Sequence, residues 1–344
     1  RRAGGTAAGA KTAAVVGASG FVGAHVVQSL LRRGYRVQGT ARNPESVKWL
    51  QTLCPRDAAA EGGQQPLSLH AVELGAEDSD AQLDQAFRGA SAAFFCAGYE
   101  RQEPETVDFM VGGALATLRA ARRSGVGVVV LTSSGGSTNP PGHANATPKQ
   151  EHEHWSDPEQ QKASGRWSPA AKTLMEISAL REVGRDQRNE VVDPAAAEGA
   201  PRLCIMNPNL ILGPQLNPGP IAGNSLPWLL KILRGEAMAE VIPNDSMSII
   251  DVRDLADLHV SCAEIPEACG RYFGVNRSFP WEEILTSLET ACAGYKRPPR
   301  FEGAAAVPTQ FDFARRDALG VKLRSLDETL VDLVAFLRDR GELA

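Results

Sequence analysis

Three glycines near the start of the chain have the spacing of a phosphate-binding loop. The stretch VVGASGFVGAHVV places Gly17, Gly20 and Gly23 between an apolar run at 12–17 and an amphipathic stretch at 21–34. At a strand-to-helix turn, the first glycine allows a tight turn, the second admits a pyrophosphate, and the third allows close helix–strand packing. The helix N-terminus also attracts anions. The spacing predicts a dinucleotide site, and the alternative is a tight turn that holds no ligand.

The end of the next strand candidate indicates which nicotinamide cofactor fits. An NAD site places an acid there to bind the ribose 2′-hydroxyl. In VQGTARNP, Thr40 takes that place and Arg42 follows two residues later. A guanidinium suits a 2′-phosphate through bidentate, charge-assisted hydrogen bonds. We therefore predict NADP(H), although an arginine after a strand can also be merely solvated.

The elements that must position this loop alternate along the first 134 residues. Strand candidates and helix-length segments follow one another, which predicts an α/β fold with a Rossmann-like, doubly wound parallel sheet. The predicted strands are 12–17, 36–41, 66–74, 91–98 and 127–134, and the predicted helices include 21–34 and 105–123.

The second half of the chain is less regular. A long Gly-, Pro-, Asn- and His-rich loop is predicted at 135–166, followed by a helix at 168–187 with Ser168 as its cap and Pro169 at its first position. A flexible insertion at 187–201 precedes a strand at 202–207. We predict three parts: a basic flexible tail (1–11), a dinucleotide-binding domain (12–207), and a smaller substrate-type domain (208–344) with segments that return to the first domain. Ser325 and Gly341 are predicted to begin and close the last helix.

Composition excludes several classes of protein. The net charge of −5 gives no electrostatic support for nucleic-acid binding, and the apolar runs are too short to span a bilayer. Six cysteines without a CxxC pair predict free thiols in a reducing compartment rather than disulfides or zinc. We predict a soluble protein of the cytoplasm or of an organelle interior. The basic, acid-free start RRAGGTAAGAK fits a trimmed targeting peptide or simply a disordered tail.

Several further motifs occur in a fixed order: TARNP, VVVLTSS, a lysine-bearing helix, NPNLILGP, IIDVRDLADLHV, GRYFGVN and RRDALGVKLRSLDETL. Together with the glycine loop, they make the chain resemble the extended short-chain dehydrogenase/reductase family (NAD-dependent epimerase/dehydratase-like) from about residue 12 to the C-terminus. The resemblance is greatest to its dihydroflavonol reductase and cinnamoyl-CoA reductase branch. It implies a Rossmann-like domain, a smaller C-terminal domain and a Ser–Tyr–Lys catalytic set.

The resemblance assigns roles to individual positions. Ser134, in preference to Ser133, matches the substrate-orienting serine, and Lys172 matches the lysine that holds the nicotinamide ribose. The implied cofactor-binding residues are Gly17, Ser19, Gly20, Phe21, Val22, Gly23, Arg42, Glu73, Leu74, Ala97, Gly98, Lys172, Asn207 and Pro208.

One position departs from the family pattern. The catalytic tyrosine should stand four residues before Lys172, and this chain has Ser168 there. In the family, the tyrosine donates a proton to the substrate oxygen, and the nearby lysine lowers the pKa of the phenol. A serine hydroxyl is shorter and far less acidic. Without a substitute, the rate should fall by about 10²–10⁴-fold.

Other residues could replace the missing acid. None of Tyr35, Tyr99, Tyr272 and Tyr295 precedes a lysine by four residues, but Tyr99 follows the fourth strand candidate on the cofactor side of the sheet. His143, His152 and His154 lie in the long loop, where EHEH could supply an acid or a metal ligand. We favour the interpretation that Tyr99 is an aromatic residue at the rim of the site, that the three histidines are solvated, and that there is no metal site.

Two hypotheses of function follow. The favoured one is an NADP(H)-binding protein with lost or strongly reduced catalysis and a structural, assembly or redox-sensing role. The alternative is an NADPH-dependent reductase of a small hydrophobic aldehyde or ketone that uses a different proton donor. A homodimer through the helices at 105–123 and 168–187, or membership of a larger assembly, is a further expectation from the family.

Overall fold

The computed structural model describes residues 11–54, 65–98, 101–221, 223 and 225–343. Its central layer is a seven-stranded sheet with the order β3-β2-β1-β4-β5-β6-β9, in which every pairing is parallel. These strands are β1 (Thr12–Val16), β2 (Arg36–Ala41), β3 (Leu67–Ala71), β4 (Ala92–Phe95), β5 (Val128–Thr132), β6 (Arg202–Asn207) and β9 (Gly270–Phe273). The predicted Rossmann-like α/β fold is confirmed.

Helices cover both faces of this sheet. The helices of the first 200 residues are α1 (Phe21–Arg32), α2 (Ser79–Phe87), α3 (Glu105–Arg123), α4 (Pro158–Ala163), α5 (Trp167–Glu182) and α6 (Pro194–Ala197). Those that follow are α7 (Ser225–Leu233), α8 (Val252–Glu264), α9 (Trp281–Ala291), α10 (Ala314–Asp317) and α11 (Leu326–Asp339). A 3₁₀-helical segment, Pro44–Leu53, and a 3₁₀ turn, Gly135–Ser137, complete the helical elements of the described residues.

The sequence of β1 explains why the sheet needs two covering layers. Alternate residues of a strand point to opposite faces. Ala13 and Val15 belong to the core beneath α1 and α8, whereas Ala14 and Val16 belong to the core beneath α2, α3 and α5. All four side chains are buried, as expected for a parallel strand covered on both sides.

A second sheet lies in the C-terminal part of the chain. It has the order β10-β8-β7, formed by β7 (Leu210–Leu212), β8 (Ser246–Asp251) and β10 (Arg277–Pro280). A third apolar core joins this sheet to α7, α9 and α11. The last helix begins at a capping box between Ser325 and Glu328, and Gly341 after it has a φ of +70°, so both predicted ends of this helix are confirmed.

Two segments predicted to lack helices contain short ones. The segment 135–166 was predicted as a loop, but it contains a 3₁₀ turn and α4, whose cap is Asp157. The insertion at 187–201 likewise contains α6, capped by Asp193. Both helices are short and begin with a capping Asp followed by Pro, a signal that is easily overlooked inside polar, Pro-rich sequence.

Candidate functional site: a dinucleotide cavity beside a serine–lysine helix

The glycine loop is built as predicted. Gly17 has a φ of +80°, and a Cβ there would lie 2.7 Å from the backbone nitrogen of Ala97. A Cβ on Gly23 would overlap the carbonyl oxygen of Gly17. Only glycine fits at these two positions, since the first needs a left-handed conformation and the second faces backbone. Gly20 is the N-cap of α1, so that helix begins at the loop and directs its N–H groups toward the end of β1.

Thr40 has a structural role in this loop that the sequence analysis did not anticipate. Its hydroxyl accepts a hydrogen bond from the Gly17 N–H at 3.3 Å, and its carbonyl accepts one from Ala18 at 3.2 Å. The side chain is buried at 2% exposure. The residue that replaces an acid at the end of β2 therefore supports the glycine turn.

A cavity of about 560 Å³ opens at the C-terminal ends of β1, β2 and β4. Eight of the predicted cofactor residues line it, namely Gly17, Ser19, Gly20, Arg42, Glu73, Leu74, Ala97 and Gly98. The sequence analysis missed the other lining residues, which are Val16, Thr40, Ala41, Val72, Cys96, Arg101 and Phe109. The volume, the glycine turn and the cationic rim fit a nicotinamide dinucleotide.

The remaining predicted cofactor residues lie at the edge of this cavity or outside it. Phe21, Val22 and Gly23 form the first turn of α1, and Gly23 packs against Gly17. Pro208 is buried after β6. Lys172 lies on α5 outside the lining of this cavity, and Cys96 of the cavity wall is among the groups that influence its pKa.

Lys172 is held at the end of β5. Its Nζ donates a 2.7 Å hydrogen bond to the carbonyl oxygen of Thr132. The Thr132 hydroxyl lies 2.8 Å from Nε2 of His259, whose Nδ1 lies 2.7 Å from the carbonyl oxygen of Leu255. Burial lowers the pKa of His259 to about 4, so the ring is neutral and donates from Nδ1. Burial also lowers the pKa of Lys172 to about 8, against the opposing influence of Glu176 and Cys96.

The two serines after β5 have different surroundings. Ser133 is buried, and its hydroxyl donates to the carboxylate of Glu176. Ser134 is half-buried, and its Oγ accepts a 3.0 Å hydrogen bond from the Gly136 N–H, which starts the 3₁₀ turn. Ser134 is therefore the more accessible of the two hydroxyls.

A buried ion pair lies beneath this part of the site, and the sequence analysis missed it. Glu176 and Arg271 have side chains at 0% exposure, and Nε of Arg271 donates to Oε2 of Glu176 at 2.7 Å. Arg271 also donates to the carbonyl oxygens of Glu151, His154 and Ser137. One guanidinium from β9 thus ties the segment after β5 to the sheet. One feature of the sequence could have indicated this ion pair. Glu176 is a charged residue four positions after Lys172, on a helix face that is otherwise buried.

Asn207 belongs to this buried network. It was assigned to the cofactor from the family pattern, but its side chain is 1% exposed. The amide nitrogen donates to Oε1 of Glu176 at 2.7 Å, to the Ser137 hydroxyl at 3.0 Å and to the Ser134 carbonyl at 3.2 Å. The structure thus places this amide beneath the serine turn, where it fixes the backbone of Ser134.

Ser168 does not cap α5 as predicted. The helix begins at Trp167 with Arg166 as the cap residue and ends at Glu182, so both predicted bounds and the predicted cap were wrong. Ser168 is half-buried in the first turn, and its N–H donates to Oε1 of Gln102 at 3.0 Å. A side chain from the segment before α3 therefore satisfies a helix-start donor that a cap would otherwise satisfy.

The structure gives the other acid candidates different surroundings. Tyr99 lies outside the described residues. Tyr35, Tyr272 and Tyr295 are buried, and burial is the main cause that raises the pKa of each phenol. A raised pKa makes each phenol a poorer proton donor.

The loop histidines take part in local contacts. The rings of His143 and His154 meet edge to face with their centroids 4.6 Å apart, and burial lowers the pKa of His152 to about 4. Within the described residues, no group of three or more His, Cys, Asp and Glu side chains is arranged to hold a metal ion. No helix in that part of the chain is long and apolar enough to cross a membrane.

The fold and the cavity define a nicotinamide-dinucleotide-binding protein of the Rossmann type. A family model described as NAD(P)H-binding matches residues 17–195. Cinnamoyl-CoA reductase 1 of Arabidopsis thaliana is 32% identical over 340 residues, which cover 97% of this chain and 91% of that protein. The bifunctional dihydroflavonol 4-reductase/flavanone 4-reductase of Malus domestica is 28% identical, over 95% and 90% of the two chains.

A solved structure shares the fold. Yeast methylglyoxal/isovaleraldehyde reductase complexed with NADPH superposes with a TM-score of 0.79 at 22% identity, covering 96% of this chain and 100% of that one. The chain belongs to the NAD(P)H-binding extended short-chain dehydrogenase/reductase family, in the branch of the cinnamoyl-CoA and dihydroflavonol reductases.

Proposed function

We propose that this protein binds NADP(H) in the cavity at β1, β2 and β4, and that carbonyl reduction is lost or strongly reduced. The observation that carries the proposal is the contrast within one site. The chain keeps the glycine turn, Arg42, Ser134 and Lys172, whereas Ser168 occupies the position at which the family has its proton donor. Under this proposal, the bound dinucleotide serves a structural, assembly or redox-sensing role.

The preference for NADP(H) over NAD(H) rests on the end of β2. Arg42 is exposed and lines the cavity, where a guanidinium can bind a 2′-phosphate. Thr40 is buried in the glycine turn and offers no carboxylate to a ribose 2′-hydroxyl. We expect NADPH to bind more tightly than NADH.

The reaction itself needs a group that this helix lacks. A bound nicotinamide supplies a hydride to the carbonyl carbon, and negative charge develops on the oxygen. Ser134 can donate one hydrogen bond to that oxygen, but a hydroxyl of ordinary acidity does not release its proton at neutral pH. Position 168 is four residues before Lys172, where a phenol would share a helix face with the ammonium group.

A second candidate function is favoured by the pKa of Lys172. With a pKa of about 8, the ammonium holds a proton at neutral pH and releases it more readily than an ordinary lysine. The protein would then be a slow NADPH-dependent reductase of a small hydrophobic aldehyde or ketone, with the proton passing from Nζ to the substrate oxygen. Its rate should fall as the pH rises through about 8, because the deprotonated amine has no proton to give.

The deciding experiment measures binding and turnover separately. Calorimetric titration with NADPH and NADH tests the binding part, and tighter binding of NADH would contradict it. Loss of the 340 nm absorbance of NADPH, followed with a panel of aldehydes and ketones, tests the chemistry. Turnover comparable to that of a tyrosine-bearing relative would refute the proposed loss. Slow turnover that vanishes in Lys172→Ala and falls above pH 8 would establish the second candidate.

A further inference from the structure

Arg101 lies on the wall of the dinucleotide cavity, and neither the glycine motif nor the family pattern assigns it a role. It belongs to the segment between β4 and α3. Its Nη1 lies 3.7 Å from Oε2 of Glu103, and the two side chains are 68% and 49% exposed. Solvent screens such an exposed ion pair, so the pair contributes little to stability. The Arg101 guanidinium can therefore exchange Glu103 for an anion that binds it more strongly.

The segment that carries Arg101 is anchored at Arg101 itself and at the residue that follows it. The carbonyl oxygen of Arg101 accepts a 2.8 Å hydrogen bond from the Thr106 hydroxyl in the first turn of α3. The next residue, Gln102, accepts the Ser168 N–H at the start of α5. The guanidinium is thus carried by backbone that two helices fix, which reduces the entropy cost of placing it against a ligand.

The sheet order indicates which phosphate Arg101 faces. β1 lies between β2 and β4. Arg42 follows β2 and Arg101 follows β4 in the chain, and both line the cavity into which the glycine turn at the end of β1 opens. The glycine turn and the N-terminus of α1 form the place where a dinucleotide pyrophosphate binds, while a 2′-phosphate lies at the end of β2. The β4 side of the turn is therefore nearer to the pyrophosphate than to the 2′-phosphate.

We propose that Arg101 binds the pyrophosphate of the dinucleotide from the β4 side of the cavity, as a second arginine complementary to Arg42. The inference rests on the proposed dinucleotide binding and adds that the two guanidinium groups bind different phosphates of the cofactor. Arg42 distinguishes NADPH from NADH, whereas Arg101 contributes to the affinity for both. Glu103 competes with the phosphates for the Arg101 guanidinium.

The test is a set of calorimetric titrations with NADPH and NADH in parallel. Arg101→Ala should weaken the binding of both cofactors by a similar factor of about 10, because both cofactors carry the pyrophosphate. Arg42→Ala should weaken NADPH and leave NADH nearly unchanged. Glu103→Gln should tighten both cofactors about twofold, since it removes the competing carboxylate. Arg181→Ala, an exposed arginine in the last turn of α5, is the matched control and should change neither.

The outcomes separate the two proposals. If the wild-type protein binds neither NADPH nor NADH, the proposed function fails. If both bind and Arg101→Ala matches the wild type, the inference about Arg101 is wrong. If Arg101→Ala weakens NADPH alone, the assignment to the pyrophosphate is also wrong, because the contact is then to the 2′-phosphate. All variants should retain the wild-type melting temperature, since the substituted side chains are exposed.

Discussion

Replacing Ser168 by tyrosine should create or strongly raise NADPH-dependent carbonyl reduction. The substitution restores a phenol four residues before Lys172, whose ammonium group is already fixed to the carbonyl oxygen of Thr132 at 2.7 Å. An adjacent cation lowers the pKa of a phenol and makes it a better donor at neutral pH. General acid catalysis is worth about 10²–10⁴-fold, which corresponds to about 3 to 5 kcal/mol of barrier. We therefore expect a gain of that order in kcat over the wild type.

The assay follows the 340 nm absorbance of NADPH with matched aldehydes and ketones. Ser168→Phe is the control, since it adds the ring without the hydroxyl and should stay at the wild-type rate. The gain should also disappear in the double variant Ser168→Tyr/Lys172→Ala. If Ser168→Tyr binds NADPH as tightly as the wild type and still shows no gain, the missing phenol is not what limits the chemistry. The reasoning from position 168 would then be refuted.

Three further predictions concern the supporting structure. Gly23→Ala should weaken NADPH binding at least about tenfold, because its Cβ would overlap the Gly17 carbonyl. Gly112→Ala on α3, with open space around it, should leave NADPH binding unchanged by calorimetry and raise the melting temperature slightly, because alanine is the better helix former. Glu176→Gln should lower the free energy of unfolding by about 3 to 5 kcal/mol, because it leaves Arg271 buried without its counter-charge. A free energy of unfolding in urea that is within about 1 kcal/mol of the wild-type value would contradict this. Burial lowers the pKa of His259 to about 4 in the fold, below the ordinary value of 6.5 that it has in the unfolded chain. The unfolded chain therefore binds more protons, and stability should decline as the pH falls from about 6.5 towards 4. Urea unfolding at pH 7 and pH 5 should show a smaller decline in His259→Gln than in the wild type.

Much of the first half of the fold could be predicted because its signals are local. The bounds of β2, β6 and α3 match the predicted ranges 36–41, 202–207 and 105–123. Buried parallel strands form continuous apolar runs, and helices show their own period, so each element can be recognised without knowledge of its neighbours. The glycine loop is also contiguous in sequence, which is why most of the cavity wall at β1 could be named in advance.

The parts that could not be predicted depend on contacts between distant residues. Glu176 and Arg271 are 95 positions apart, and neither has a pattern that indicates the other. Ser168 before Pro169 has the local pattern of a helix cap, yet Gln102, 66 positions earlier, satisfies the helix donor instead. The helix cap therefore lies two residues before the predicted one, at Arg166, and a tertiary hydrogen bond takes the place of the local cap at Ser168.

The proposed cofactor cavity and the position of the proposed proton donor lie on different elements of the fold. The cavity is lined by residues at the ends of β1, β2, β3 and β4, by Arg101 and by Phe109 of α3, whereas Ser134 follows β5 and Lys172 lies on α5. Lys172 is fixed by the Thr132 carbonyl, a contact that does not depend on the side chain at position 168. We therefore expect a change at that position to leave the glycine turn, Arg42 and Lys172 undisturbed. Binding and proton donation are separable in this fold, so the affinity for NADPH and the rate of reduction must be expected to vary independently across variants of residue 168.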